Sequence, residues 1–422
     1  MAAADNAKPR LLVVAPFGSY RTAPFLEAVR VAGAVPVFAS EGTSPLVDPG
    51  APGLRLTFAD PDGCVRDVGE EVRRHGPFAA VLGLDDLGSE IAGVIAAGLG
   101  LAANPPSALR IARRKDWARA ALAAASVKTP WHRVIDLEEP PQAAAAAAFP
   151  YPLVLKPVSL SASQGVMRID DAVALHASLA RLGRLLDNCA RARPRLALIE
   201  AFIPGREVAL EGLLTGGKLA VLALFDKPEP LDGPFFEESY YITPSRLPAA
   251  LQEAVREEVE RGAHAYGLRE GPLHAECRIN AQGVFIVEIA ARTIGGLCGR
   301  LLRFGLGRSL EEVVVRHALR EPVLPGRPEG AAGVLMIPVP AAGILRRVEG
   351  LMAADRVPGV EDVVIDVHEG QELVPLPEGS SYVGFIFARA PTFDEVYGAL
   401  KTAHAHLRFV VAPTWRVQPA TS

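Results

Sequence analysis

Three short apolar runs open the chain, Leu11–Ala15, Ala34–Ala39 and Phe78–Leu82, with a helical stretch over Thr22–Ala32 between the first two. Uninterrupted runs of this kind predict strands covered on both faces, and their alternation with helix predicts a parallel α/β sheet. Ligands of such sheets bind beyond the carboxyl ends of the strands. Ser19 and Arg21, just past the first strand, therefore hold a candidate substrate-facing position, and Asp85 and Asp86 follow the third run. No G-x-G-x-x-G follows the first strand, which weighs against dinucleotide binding. Asn104–Pro106 then punctuates the chain, and Ser107 is expected to cap a helix that runs through Lys115 toward Ala125.

From Pro152 the pattern changes to short strands in hairpins: Leu153–Lys156, Val166–Ile169, Leu196–Glu200, Glu207–Leu214 and Leu219–Phe225. Gly216-Gly217 between the last two is a strong two-residue turn signal. Leu251, Val255, Val259 and Ala263 recur at i, i+4 steps, which predicts an amphipathic helix over Ala249–Tyr266 closed by Gly267. Ala143–Ala148 is a low-complexity run that reads as a solvated helix or a compositional accident. Beyond Glu321 a Pro/Gly-rich stretch leads to short strands near Gly333–Pro338, Val360–His368 and Ser381–Arg389, then to a helix near Phe393–His406. Three units are expected: an α/β N-terminal domain over residues 1–105, a central α+β region over 106–325 that divides near 190–205, and a C-terminal lobe over 326–422.

Composition narrows the class. Half of the 422 residues are hydrophobic and 22% are charged, which excludes a disordered chain. The net charge is −4 with no basic block, so no nucleic-acid partner is expected. Met1–Arg10 lacks the apolar core of a secretory signal. No membrane span is expected either: Ile91–Ala103 is too short, and Gly330–Leu345 is broken by Pro338 and Pro340. Cys64, Cys189, Cys277 and Cys298 are far apart with no C-x-x-C, as expected of free thiols in a reducing cytoplasm rather than a disulfide frame or zinc site.

The strongest chemistry lies in His274–Arg292. Side chains alternate along a strand. One face of the first strand is Leu273, Ala275, Cys277 and Ile279, and the other is His274, Glu276 and Arg278. In the second strand Phe285, Val287 and Ile289 form the expected apolar face, with Val284, Ile286, Glu288, Ala290 and Arg292 opposite. Ala281-Gln282-Gly283 fits a three-residue loop, and that register sets Glu276 directly across from Glu288. Two carboxylates at ~4 Å and an effective dielectric near ~20 repel by about 4 kcal/mol. A divalent cation between them converts that cost into binding, and Mg²⁺ suits hard oxygen ligands beside phosphate. The alternative is that the glutamates pair with Arg278 and Arg292 as solvated surface charges.

A nucleotide end is suggested by weaker signals. Lys156 ends an apolar strand and needs an anion partner. The small residues Ser159–Gly165, with Ser161, Ser163 and Gln164, would let backbone N–H groups approach a phosphate. Lys115 lies on a helix, Glu200-Ala-Phe202-Ile203 ends a strand whose backbone could read a base edge, and Glu207 after Pro204-Gly205 could accept bonds from ribose hydroxyls.

The order of these parts resembles the ATP-grasp superfamily: lysine helix, strand-Lys-Pro, small-residue loop, Glu-x-x-x-Pro-Gly-x-Glu, the His-x-Glu hairpin and Glu-Ile-Ala-Ala-Arg. Within it the chain is similar to the carboxylate–amine ligases typified by bacterial L-amino-acid (dipeptide) ligases. The resemblance covers nearly the whole chain and implies a biotin-carboxylase-like three-part architecture: an α/β N-terminal domain, α+β ATP-grasp domains and a C-terminal lobe. It implies ATP with Mg²⁺ (or Mn²⁺), small-molecule carboxylate and amine substrates, and a homodimer as the common assembly. Lys115 and Lys156 would hold the ATP phosphates, and Ser159–Gly165 would close over them. Glu200, Phe202 and Ile203 would line the adenine pocket, Glu207 the ribose, and Glu276 and Glu288 would bind the metal. Arg292 would grip the substrate carboxylate. Phe236 to Ser245 resembles the substrate loop, with Glu238 on a substrate amino group, and His274 would stand beside the metal site.

Three positions depart from the pattern. Ala290 stands where many members carry Asn, Tyr241 where the ligases often carry His, and Gly295-Gly296 leave room where some relatives have a bulky wall. Two further readings stay open: a bicarbonate-dependent carboxylase or carbamoyl-phosphate-type enzyme, and a nucleotide-binding module without turnover.

Overall fold

The computed structural model of the protein describes residues 8–42, 53–187, 195–303, 307–322 and 329–414. The chain before Lys8, Cys189, the part of the expected division within 188–194, and most of the Pro/Gly-rich stretch lie outside them. The N-terminal sheet is parallel, in the order β3-β2-β1-β4, built from β1 (Arg10–Val14), β2 (Val35–Ser40), β3 (Gly53–Arg55) and β4 (Phe78–Gly83). Its helices are α1 (Thr22–Val31), α2 (Pro61–His75) and α3 (Asp86–Gly98). Leu11 and Val13 pack into one core and Leu12 and Val14 into another, so β1 is covered on both faces as its apolar run requires.

The expected helix from Ser107 through Lys115 is two helices. α4 (Pro106–Arg113) starts at its own proline, with no side-chain cap from Ser107. Arg114 leaves helical geometry (φ −107°, ψ 103°) before α5 (Lys115–Ala124) begins. The break puts Lys115 in the first turn of α5.

A second sheet has the order β5-β8-β6-β7, from β5 (His132–Asp136), β6 (Leu153–Pro157), β7 (Met167–Ile169) and β8 (Leu196–Ala201). The alanine run between β5 and β6 forms a five-residue helix, α6 (Ala143–Ala147), with Ala146 buried. α7 (Ala172–Asp187) covers this sheet through Leu175, Leu179 and Leu182.

An eight-stranded sheet dominates the rest. Its strands are β9 (Arg206–Thr215), β10 (Lys218–Asp226), β11 (Tyr240–Thr243), β12 (Gly271–Asn280), β13 (Gly283–Ala290), β14 (Ala331–Ile337), β16 (Val360–Ile365) and β18 (Gly384–Ala390). A three-stranded sheet of β17 (Glu372–Leu373), β15 (Gly343–Glu349) and β19 (Arg408–Ala412) completes the fold. The large sheet runs β13-β12-β9-β10-β11-β14-β18-β16, so strands of the C-terminal lobe continue the central sheet through the β11–β14 pairing. Gly216 and Gly217, at φ 57° and 85°, make the β9–β10 turn that their pair signals. α8 (Ala249–Tyr266) covers the back of β12 and β13 and stops at Gly267 in the left-handed region. No helix among the described residues is long and apolar enough to cross a membrane.

Candidate functional site

β12 and β13 place Glu276 opposite Glu288, but not by the expected loop. The hairpin turns on two residues, pairing Asn280 with Gly283, and a bulge between Glu276 and Cys277 then shifts the register by one. The shorter loop and the bulge compensate, so the glutamates still meet. Nearer the turn the faces are exchanged: Val284 and Ile286 pack into the core behind the sheet with Ile289, while Phe285 and Val287 face a cavity. This corrects the apolar face assigned to Phe285, Val287 and Ile289.

On the nucleotide side, a cavity of about 820 Å³ is lined by Lys115, Lys156, Glu200, Phe202, Ile203, Glu207, Ser161, Ser163, Glu276 and Glu288. Val154 pairs with Glu200 across β6 and β8, so Lys156 is its diagonal neighbour on the same face. Lys156 Nζ lies 2.6 Å from Glu200, and Arg119 Nε donates to the same carboxylate at 2.5 Å. Burial pushes the Glu200 carboxyl up, but Arg119 and Lys156 outweigh it and pull it down to about 2. Burial also lowers the Lys156 ammonium, against the pull of Glu200. Arg119 further donates to the Val287 carbonyl at 2.6 Å, tying α5 to β13. Lys115 Nζ donates to the Leu160 carbonyl at 2.8 Å and stands 3.5 Å from Glu288. Arg168 and Arg278 lie over the Phe202 ring, at 4.8 and 4.9 Å from its centroid.

A second cavity, of about 1660 Å³, opens on the other side of the glutamates. Arg21, Asp86, Tyr241, His274, Arg292, Gly295 and Gly296 line it. Ser161, Ser163, Glu238, Glu276 and Glu288 border both cavities and so form the seam between them. Arg292 Nε donates to Asp86 at 3.0 Å; burial lowers its guanidinium's affinity for a proton, but Asp86 and Glu288 raise it further. Arg21, 8% exposed, donates to the carbonyls of Leu84 and Thr293 and so clamps the N-terminal sheet to the segment after β13.

The seam itself is acid-rich. β9 sets Glu207 opposite Arg278 and Glu211 opposite His274, and these pairs bond at 2.8 and 3.1 Å. Lys227, just beyond β10, reaches Glu207 at 2.7 Å, Glu238 at 2.6 Å and Glu276 at 3.2 Å. Tyr241 donates its hydroxyl to Glu238 at 2.6 Å. Burial and the neighbouring charge of Glu276 push Glu238 up to about 8, against Lys227. Burial also acts on Glu276, but Lys227 and His274 hold it well below the usual carboxylate range. Burial lowers His274, and its bonds to Glu211 and Glu276 reverse that and raise it to about 9.

Most residues singled out in the sequence therefore meet around two adjoining cavities. Three do not. Ser245 donates to Asp226 and accepts from Leu247 N, building the turn after β11 rather than a substrate wall. Gln164 and Gly165 face the C-terminal lobe: Gln164 Nε2 donates to the Glu378 carbonyl and Gly165 N to the Pro377 carbonyl, each at 2.8 Å. Glu238, by contrast, borders both cavities, but its two oxygens, expected to hold a substrate amine, are engaged by Lys227 and Tyr241. The sequence reading missed Arg119, Asp86 as partner of Arg292, and Lys227. One signal was available for the last: Lys227-Pro228 closes an apolar strand just as Lys156-Pro157 does.

Two family models match the chain, an ATP-grasp domain over residues 149–300 and an L-amino acid ligase C-terminal domain 2 over residues 335–412. Among curated proteins, the chain is 28% identical over 215 residues to alanine–anticapsin ligase of Bacillus subtilis, covering 47% of this chain and 44% of that one. The curated relatives are matched over 23% to 66% of their own lengths. In fold, the chain is similar to an L-amino acid ligase from Bacillus licheniformis, with a TM-score of 0.78 at 24% identity over 96% of this chain and 99% of that chain. It is also similar to a biotin carboxylase from Campylobacter jejuni, with a TM-score of 0.64 at 13% identity over 96% of this chain and 92% of that chain.

Proposed function

This chain belongs to the ATP-grasp superfamily, and we propose that it is an ADP-forming ligase that joins an amino acid to a second small molecule through an acyl phosphate. The observation that carries the reading is the seam. Glu276 and Glu288 stand opposite each other between a lysine-lined cavity and an arginine-lined one.

Lys156 and Lys115 bind the triphosphate in the first cavity, and Arg292 binds and orients a carboxylate in the second. A carboxylate oxygen attacks the γ-phosphorus in line, the bond to ADP breaks, and an acyl phosphate forms. The amine nitrogen then attacks the acyl carbon, inorganic phosphate leaves with one former carboxylate oxygen, and the ammonium proton passes to solvent. The protein's part is positioning and charge complementarity. Ser161 and Ser163, which border both cavities, restrict water from the acyl phosphate.

The residues fit a divalent cation. Glu276 meets Lys227, Tyr241 and His274 through Oε1, Glu288 meets Lys115 through Oε2, and both glutamates line the nucleotide cavity with hard oxygen ligands. A magnesium ion held there would neutralise phosphate charge. The three described cysteines are free and buried, which supports a reducing compartment.

The test is an ADP-release screen over amino acids singly and in pairs, with mass spectrometry of the product. ADP and an amide, both dependent on two substrates, are expected. ADP release with bicarbonate alone would favour a carboxylase, and nucleotide binding without ADP release under any combination would overturn the ligase reading.

A further inference from the structure

Lys227 lines neither cavity. Its side chain is 3% exposed, and it sits beneath the seam. An ammonium has three N–H donors and no acceptor. The three donors of Lys227 meet three carboxylates from three directions: Glu207 on β9, Glu276 on β12 and Glu238 ahead of β11. Its Nζ also stands 4.9 Å over the Tyr241 ring.

The oxygens of these three glutamates include a set that lies within 4.8 Å of one another. A small divalent cation binds oxygens at ~2.0–2.6 Å, so opposing ligands stand roughly 4–5 Å apart. The cage therefore has the size and the charge of a cation site. It carries three carboxylates, against two at the Glu276–Glu288 pair. Affinity for such ions rises with the number of charged ligands. Without Lys227 the cage would be the stronger trap, set beneath the seam instead of at it.

We propose that Lys227 is the resident cation of this cage, a positioning residue that keeps a divalent ion out and so directs the ion to the seam. It rests on the reading that Glu276 and Glu288 receive the ion. The bonding agrees atom by atom. Glu207 spends Oε1 on Lys227 and Oε2 on Arg278, and Glu238 spends Oε1 on Lys227 and Oε2 on Tyr241. Glu276 meets Lys227, Tyr241 and His274 through Oε1. Opposite Glu276 on β9 stands Ala209, whose small side chain crowds neither partner. Lys227 thus closes the cage on one side of Glu276, while Glu276 stays paired opposite Glu288 across β12 and β13.

The test uses the full chain without nucleotide or substrate, titrated with Mn²⁺ and read by electron paramagnetic resonance. Lys227→Met is expected to gain a site at least about tenfold tighter than any in the unsubstituted protein, because three carboxyl groups now converge without their shared ammonium. Adding Glu238→Gln should abolish that site, whereas adding Glu288→Ala should leave it. Lys227→Gln, which can still donate hydrogen bonds, should fold and show a weaker gain. If Lys227→Met is unstable alone, Mn²⁺ should raise its melting temperature more than that of the unsubstituted protein. Mn²⁺ binding unchanged in both folded variants, or a gained site that survives Glu238→Gln, would overturn the proposal. This readout needs no turnover, so a failed ligase assay and a failed cage are separate results.

Discussion

Two buried lysines of this protein sit in opposite electrostatic settings. Lys156 shares a single carboxylate, Glu200, with Arg119, and Lys115 stands nearby. Lys227 bridges three carboxylates, which Arg278, Tyr241 and His274 also contact. The first arrangement sets two cations on one carboxylate and suits a polyphosphate; the second converges three carboxyl groups on one ammonium and suits a cation. Lys156 lies at the end of β6 and Lys227 just beyond β10, and both precede proline. The sequence context is thus nearly the same, and the partners brought in by folding decide the chemistry. The pKa directions carry the same contrast: Glu200 is pulled down to about 2, and Glu238 is pushed up to about 8.

The largest effect is expected where the two settings meet. Glu288→Ala should reduce turnover by at least about 10²-fold, since it removes a charge that acts at the reacting phosphate. Its circular dichroism and melting temperature should be unchanged, because among the described residues Glu288 makes one long ion pair, to Lys115 at 3.5 Å. Near-normal turnover would break the assignment of the seam. Next is Glu200→Gln, which leaves Arg119 and Lys156 buried without their counter-charge. A loss of ~3–5 kcal/mol of stability is expected in denaturant melts, together with a raised KM for ATP.

The two settings should also separate by pH in the metal-free protein. Glu200 is depressed to about 2 from 4.5, so its stabilisation is full above pH 4.5 and is lost as pH falls toward 2. His274 is raised to about 9 from 6.5, so its stabilisation is full below pH 6.5 and is lost as pH rises through 9. Glu238, raised to about 8 from 4.5, is stabilising in its protonated form, and that contribution is lost as pH rises from 4.5 through 8. Melting temperature should fall between pH 6.5 and 9, and His274→Gln should flatten that limb without altering the acid one. The smallest effect concerns the second cavity. A Cβ on Gly295 would meet only the end of Arg21, at 3.8 Å, whereas one on Gly296 would lie 3.0 Å from the Phe385 ring, with φ at +59°. Gly295→Leu should therefore leave stability within about 0.5 kcal/mol and turnover with small substrates intact, while raising KM for bulky ones. Gly296→Leu should destabilise the fold.

What the sequence made legible was local. The parallel N-terminal strands, the Gly216-Gly217 turn, α8 with its Gly267 stop and the meeting of Glu276 with Glu288 all follow from periodicity and turn chemistry within a few residues. The glutamate pairing was reached despite a wrong loop length, because the bulge restored the register that a longer loop would have given. What stayed hidden was the long-range pairing. Arg119 meets Glu200, Asp86 meets Arg292 and Lys227 meets Glu276 only after sheets and helices pack. Gln164 and Gly165 belong to a small-residue loop by sequence, yet contacts with residues 377–378 decide where they point.

The most direct measurement follows oxygen. The ligase is run with its carboxylate substrate labelled with ¹⁸O at both carboxylate oxygens, and the inorganic phosphate is weighed by mass spectrometry. Transfer of one labelled oxygen into each phosphate, in step with ADP and amide, is the predicted result. Amide formed with unlabelled phosphate, or ADP released with no amide, would contradict phosphoryl transfer to a carboxylate across the Glu276–Glu288 seam.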